Sequence, residues 1–446
     1  MNLTMRDVDS DGLKVLPRCS LSPALGDPQV EVMNFLNEVA LRFPSAISFA
    51  PGRPPEAHFD VKASLDYIER YLQSQAGDAE ALASGYAALG QYGRTNGTLG
   101  ELIARLLWND EGIALTCEDV AVTVGCQEAM CLLLLGLCGH PGDVALVPDP
   151  AYIGMSGAAR VLGVETCPVP ARGGGLDLDA LEHAVVRLSA QGKRPRLIYL
   201  SPDFANPTGE CMTLEQRRRL LSLSRGLNLL IVEDHAYNYF QYDGDRLPAF
   251  RSLPGSDHVI FVGSFSKSVY PGVRLGFIAS TLRIDAGEGR TTRLVDELSK
   301  IKSLLTVNTS PLCQAIIGGL LITHDCSLMA YVAPRRDALM RNRDAMLASL
   351  QRHFPRDAAW CNGIHWNRPA GGFFLSLEVP FLVSDQDLMV SARDHGVLWT
   401  PMSYFHHTME AGNQIRLSFS YASVPSIDAG IGALAQMVRS RVQHGI

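Results

Sequence analysis

Between about residue 98 and residue 280, short apolar runs rich in β-branched residues alternate with longer stretches whose apolar positions recur every three or four residues. The runs at 120–124, 144–147, 164–169, 196–200, 229–233 and 258–262 predict strands. The stretches at 99–108, 129–137, 178–189 and 214–225 predict helices. Strand, loop and helix in that order give an α/β unit, a mainly parallel sheet wrapped by helices. Ligands of such sheets sit beyond the carboxyl ends of the strands.

The flanks carry other patterns. Residues 1–30 hold Pro17, Pro23 and Pro28 with no apolar period, and read as an extended arm. At 30–43, Val32, Met33, Leu36, Val39, Ala40 and Phe43 form one helical stripe that stops before Pro44. A short apolar run at 46–50 leads into the turn at 51–55, and the small, polar residues at 74–84 read as a loop or helix end. After 293 the pattern predicts helices at 294–305, 334–352, 385–395 and 427–444, with strands at 364–367, 372–377 and 415–420. That mixture is a smaller α+β unit.

Composition narrows the partners. The 446 residues are 47% apolar, enough for a large α/β domain with a smaller companion. A net charge of −7 without a basic block argues against nucleic acid or an anionic membrane surface. The ten cysteines are scattered, with no CxxC and no zinc-like Cys/His spacing, so no metal is expected and a reducing compartment is. The first ten residues lack an apolar signal core, and the apolar run at 130–137 is too short to span a bilayer. The expected location is the cytoplasm.

Candidate chemistry gathers at the strand ends. The strand at 258–262 runs into Ser264, Ser266, Lys267 and Arg274. Hydroxyls, a guanidinium and loop amides make a seat for a phosphate dianion. A lysine among them is suited to imine chemistry, and the combination points to pyridoxal phosphate. Alone, such a lysine is more simply a solvated strand end. However, Gly125, Tyr152, Asn206, Asp234 and Lys267 all fall on the same predicted sheet edge. Pyridoxal phosphate requires a lysine for its aldehyde, for which Lys267 is the candidate, and a carboxylate to keep its ring nitrogen protonated, for which Asp234 is. Asn206 and Tyr237 are placed to meet the phenolate oxygen. The amides of Gly125, Cys126 and Gln127, at a helix start, can add to the phosphate seat, and Tyr152 can cover the ring.

The order of these motifs resembles fold-type I, class I/II aminotransferases, especially the kynurenine/2-aminoadipate aminotransferase subgroup. The resemblance runs from about residue 30 to 440 and rests on 46–52, Gln91-Tyr92-Gly93, Asn206-Pro207-Thr208-Gly209, Asp234-x-x-Tyr237, Ser264-x-Ser266-Lys267, Arg274 and 415–420. It implies a large domain at 86–310 with a seven-stranded-type sheet. It also implies a small domain drawn from 31–85 and 311–446. Arg416 would clamp the substrate α-carboxylate, helped by Asn206 and the Gly52 turn. Partners would be an amino acid and a 2-oxo acid. The protein would be a homodimer in which Tyr92 reaches the neighbouring subunit's phosphate, and its reaction a ping-pong amino transfer through a Schiff-base lysine. The same scaffold also supports oxidases, cyclases, decarboxylases and β-eliminases. A regulator carrying a winged helix is disfavoured, since the enzyme-like pattern begins near residue 30.

Some positions depart from the family pattern or stay open. Cys126 replaces a serine or other small residue, and its thiol donates weakly. His235 reads either as a neighbour of the ring site or as a satisfied, half-buried histidine. Tyr270 either narrows the pocket or packs. Arg53 reads as exposed or as a partner for an acidic side chain. Trp399, Tyr404, Phe405 and His406 line a pocket or belong to the small unit's core.

Overall fold

The computed structural model describes residues 16–172 and 174–444, so half of the expected N-terminal arm lies outside the described residues. Its centre is an eight-stranded sheet in the order Val120–Thr123, Gly276–Ala279, Val259–Ser264, Leu230–His235, Arg194–Leu200, Asp143–Asp149, Glu165–Arg172 and Gly175–Leu176. Seven strands have four or more residues and the eighth is a two-residue edge. Gly276–Ala279 and Gly175–Leu176 pair antiparallel, and the other pairings are parallel. All six predicted strands are present, within a few residues at each end.

Side chains alternate between the faces of the sheet. Ala121, Ala145, Val147, Leu197, Val232, Ile260 and Ile278 pack beneath the helices Gly125–Leu137, Ile153–Leu162 and Leu294–Leu305. Val144, Leu146, Ile198 and Ile231 face the opposite way, toward Leu178–Ala190 and Leu214–Gly226. A parallel sheet buried on both faces therefore reads as continuous apolar runs, which is why these strands were legible. Gly276–Ala279 was not, because it is short and follows the lysine loop without a separating helix.

The smaller unit holds an antiparallel sheet in the order His365–Trp366, Phe374–Glu378, Gln414–Ser418 and Thr400–Pro401. Its core cluster joins Phe49, Leu375, Leu377, Trp399, Ile415 and Leu417 to residues of Met329–His353 and Val424–His444. Ile47–Ser48 pairs in parallel with Val397–Leu398, so the N-terminal strap completes this unit. The helix expected from Pro334 begins five residues earlier, at Met329, and carries Pro334 inside it.

The segment 74–84, expected as a loop or helix end, holds a helix end and a short break at 76–78, and is helical from 79 onward. Ala63–Gln75 and Ala79–Leu89 are separate helices, and the Asp78 carboxylate caps the second by accepting from Ala81 N at 2.8 Å. Another helix, Pro311–Thr323, was also unforeseen. It is apolar on most sides, so no polar face betrays its period. Ala63–Gln75 and Pro311–Thr323 both join the core that includes Val120, Val122, Phe261 and Phe277. The packing is thus continuous across the sequence divisions at 85 and 310. At their contact, a β-carbon on Gly319 would stand 1.8 Å from the carbonyl oxygen of Tyr67. Gly319→Ala is expected to destabilise the fold by about 3 kcal/mol, read as a lower urea midpoint, and an unchanged midpoint would contradict this packing.

Candidate active site

A cavity of about 1080 Å³ opens at the carboxyl end of the large sheet and is roofed by the smaller unit. Lys267, Asp234, Asn206, Tyr237, Tyr152 and Arg416 all line it, along with Gly52, Cys126, Gln127, Ser264, Ser266 and Arg274. The residues of the large sheet converge because parallel strands place their ends on one edge, and the N-terminal strap and the smaller unit's sheet bring Gly52 and Arg416 to the same cavity.

Lys267 Nζ donates to the Gly52 carbonyl at 2.9 Å. Burial lowers its pKa to about 8; Arg274 and Arg416 add to the effect, while Cys126 and Asp234 oppose it. Asp234 lies at the end of the central strand Leu230–His235. Its Oδ2 accepts from Tyr199 OH at 2.7 Å, whereas its buried Oδ1 has no partner. Burial raises this carboxyl's pKa; the Tyr199 hydroxyl, His235 and Lys267 work against that rise. Tyr199 was absent from the sequence-derived site, although it sits within a predicted strand and its alternation points it to this face.

Opposite Asp234 is a cradle of donors. Gly125 opens the helix Gly125–Leu137 with φ +68°, and a β-carbon there would lie 2.6 Å from Arg274 Nη2. Arg274 itself has φ 46°, in the left-handed region, and donates from Nη1 to Ser266 Oγ at 3.5 Å. Ser264 Oγ accepts from Ser266 N at 3.2 Å, which tightens the lysine loop. Cys126 lines the cavity, and its thiol donates to the Gly263 carbonyl at 3.2 Å. Gln127 Nε2 donates to Gly154 O at 2.8 Å.

Arg416, on Gln414–Ser418, is buried. Its Nη1 donates to Asn206 Oδ1 at 2.8 Å, and its Nη2 donates to Ala50 O and to Thr400 Oγ1. The rings of Phe374 and Phe405 lie 4.5 and 4.6 Å from the guanidinium carbon. Burial lowers its pKa to about 10, with Tyr237 and Tyr152 pulling the other way. Burial likewise pushes the Tyr152 hydroxyl up to about 12 and raises Tyr237, which has Asn206 beside it. The Asn206–Pro207 bond is cis. Phe374 and Thr400 were also missed by sequence reasoning, being ordinary apolar and hydroxyl residues on short strands.

Other candidates resolve differently. Tyr92 is 78% exposed and does not line the cavity of its own chain. His235 bonds Glu233 Oε2 at 2.9 Å and stacks on Phe261, away from the cavity lining. Tyr270 packs against Phe59 and shares a 2.6 Å hydrogen bond with Ser64. Trp399 and Tyr404 are core residues, bonded to Ser391 and Asp385, while Phe405 lines the cavity. Arg53 reaches the cavity rim with its guanidinium 4.3 Å from the centre of the Tyr421 ring.

The residues present fit pyridoxal phosphate on three counts. A buried acceptor, Asp234 Oδ1, awaits a cationic N–H. The Gly125–Arg274 cradle leaves no room for a β-carbon and offers donors to a dianion. An amine of lowered pKa lies in the same cavity. Fold and cavity together define a pyridoxal phosphate enzyme of fold type I.

Comparison with known proteins gives the reaction. Residues 66–434 match the family "Aminotransferase class I and II", and the chain belongs to it. It is 41% identical to an (S)-3,5-dihydroxyphenylglycine transaminase of Amycolatopsis orientalis over 440 residues, 98% of each chain. It is 30% identical to a 2-aminoadipate transaminase of Thermus thermophilus, over 89% of this chain and 91% of that one. Among solved structures, kynurenine aminotransferase of Pyrococcus horikoshii, in complex with PMP, KYN and KYA, superposes with TM-score 0.80 at 26% identity, covering 94% of this chain and 97% of that one. The protein is therefore a pyridoxal phosphate-dependent aminotransferase acting on small amino and 2-oxo acids. The oxidase, cyclase, decarboxylase and β-eliminase readings find no support. Among the described residues, no helix is long and apolar enough to cross a membrane.

The low lysine pKa is open to direct measurement. In cofactor-free protein, Lys267 should react with an amine-selective reagent with half its limiting rate near pH 8, read by peptide mass spectrometry. Because the neutral amine is the nucleophile, reactivity rises with pH through that midpoint. A midpoint near that of an ordinary lysine, about 10.4, would contradict the burial argument.

Proposed function

We propose that this cavity runs a ping-pong transamination in which Lys267 Nζ anchors the cofactor covalently and then serves as the base that takes and returns the proton at the substrate's α-carbon. What carries the reading is the convergence in one cavity of Lys267, held on the Gly52 carbonyl, the half-unpartnered carboxylate of Asp234, and the buried guanidinium of Arg416. When bound, pyridoxal phosphate supplies the electron sink for charge released at that carbon. Asp234 holds the ring nitrogen in its cationic form. Asn206 and Tyr237 meet the phenolate oxygen, and Tyr152 covers the ring. Ser264, Ser266, Arg274 and the amides of Gly125, Cys126 and Gln127 hold the phosphate. Arg416 clamps the α-carboxylate as a planar fork, with Asn206 and the Gly52 turn beside it.

The substrate is an aromatic amino acid. Val32, Leu36, Ile153 and Phe405 form an apolar part of the remaining cavity wall, beside Arg53 and Glu56. The dihydroxyphenylglycine transaminase relative is named for a substrate whose ring sits directly on the α-carbon. Two copies form the working enzyme, each lending Tyr92 to the other's phosphate. In support, Tyr92, Leu304, Leu305, Val307 and Leu312 are all exposed apolar side chains, and a β-carbon on Gly93 would lie 3.6 Å from Asn308 and from Pro311, so these residues share a surface. All ten cysteines are free thiols, in keeping with a cytoplasmic location.

The test is a half-reaction followed by absorbance. Holoenzyme mixed with single amino acids should lose its cofactor band with tyrosine or phenylglycine at least about 100-fold faster than with aspartate. A 2-oxo acid should then restore the band. Lys267→Ala should abolish both band and turnover, and Arg416→Lys should raise the donor KM by about tenfold or more. Equal rates for aspartate would refute the aromatic assignment, and turnover by Lys267→Ala would refute the lysine assignment.

A further inference from the structure

One buried cation close to the lysine plays no part in the scheme above. Arg335 lies on the helix Met329–His353 and is 4% exposed. Its Nη1 donates to the carbonyls of three consecutive residues, Lys267 at 2.9 Å, Ser268 at 2.6 Å and Val269 at 3.0 Å. Its Nη2 donates to the His58 carbonyl at 2.9 Å. Three carbonyl oxygens aimed at one point repel one another unless a cation holds them, and charge-assisted bonds of this kind are roughly twice as strong as neutral ones.

The two segments that Arg335 joins are those that fix the lysine amine. One is the lysine loop itself. The other is the strap that contains both His58 and Gly52, whose carbonyl accepts from Lys267 Nζ. Seven residues on, roughly 10 Å along the helix, Asn342 Nδ2 donates to the Phe419 and Ala422 carbonyls, just beyond the strand of Arg416. A single helix thus grips the lysine loop at one point and the end of the arginine strand at another. We propose that Arg335 is a positioning residue that fixes the Lys267 amine relative to its Gly52 acceptor and to the Arg416 carboxylate clamp. The inference rests on Lys267 being the reacting lysine.

Its loss frees the loop and removes a positive charge beside it, and both effects return the amine toward ordinary lysine behaviour. In Arg335→Gln, the pH midpoint for Lys267 modification in cofactor-free protein should rise by about half a unit or more. In the holoenzyme, kcat should fall about tenfold or more, while donor KM changes less than about threefold because the Arg416 end is intact. Arg335→Lys, which keeps charge without the planar fork, should fall between the two, and it decides the matter if the glutamine variant does not fold. The comparator is Arg343→Gln, on the same helix. Arg343 bonds Asp243 and the Pro369 carbonyl, away from the lysine loop, and its variant should lose thermal stability with no change of midpoint.

An unchanged midpoint and kcat in the Arg335 variants would overturn the inference. So would an equal midpoint shift in Arg343→Gln, which would mean that any loosening of the helix has this effect. Borohydride trapping of pyridoxal phosphate on wild-type protein separates the two levels of the argument. Label on a lysine other than Lys267 sinks the parent reading, whereas label on Lys267 with unresponsive Arg335 variants sinks only this one.

Discussion

The bond from Arg416 to Asn206 is the contact on which the site depends. Arg416 belongs to the antiparallel sheet of the smaller unit, and Asn206 to the loop that follows a central strand of the larger one. The same guanidinium reaches Ala50 on the N-terminal strap, so three distant pieces of chain meet at one side chain. Phe374 and Phe405 close over it, which strips water and raises the worth of each remaining polar contact. In the proposed role of carboxylate clamp, a guanidinium held in this way would keep its orientation before the ligand arrives, so little ordering would remain to be done on binding.

The same burial acts on every ionisable group around it. It lowers Lys267 and Arg416 and raises Asp234, in each case disfavouring the charge. These groups are not neutralised by pairing with one another: Lys267 bonds a carbonyl, Arg416 a carbonyl, an amide oxygen and a hydroxyl, and Asp234 a tyrosine. In the proposed scheme the unmet charges would instead match the parts of the cofactor and substrate. A dianion would suit the Arg274 cradle, a cationic ring nitrogen Asp234, and a carboxylate Arg416. Such a site is costly alone and favourable when filled, so ligand binding and charge stabilisation are the same event.

Much of this was visible in the chain before its fold was known, because parallel strands bury both faces and announce themselves as apolar runs. Once the strands were placed, their ends marked the cavity, and Gly125, Tyr152, Asn206, Asp234 and Lys267 all line it or open its cradle. What stayed hidden shares a physical cause. Pro311–Thr323 is buried on most sides, and Ala79–Leu89 is rich in small residues, so neither shows a one-sided stripe. Tyr199, Thr400 and Arg335 act through contacts with residues far away in the chain, which no local pattern records. Tyr92 is exposed and lines no part of its own chain's cavity, so only the proposed second copy would give its motif a role.

The roof of the cavity shows how the wall of the proposed substrate pocket is held from outside the cavity. Phe405 O accepts from Ala151 N at 2.9 Å, which ties the aromatic wall to the residue before Tyr152. Asp149, at the end of its strand, accepts from His406 Nδ1 at 3.0 Å and from His407 N at 3.1 Å. Those bonds hold the Asp149 carboxyl below its usual range despite partial burial. Gln29 and Arg160 add donors to the His406 and His407 carbonyls, and Arg160 also pairs with Asp27 at the start of the first long helix. The helix that supplies Val32 and Leu36, the loop that supplies Phe405 and the strand end that leads to Tyr152 are therefore fastened at one polar node. A wall set by such a node can change its apolar side chains, and with them the substrate, while the lysine, carboxylate and arginine beneath keep their positions.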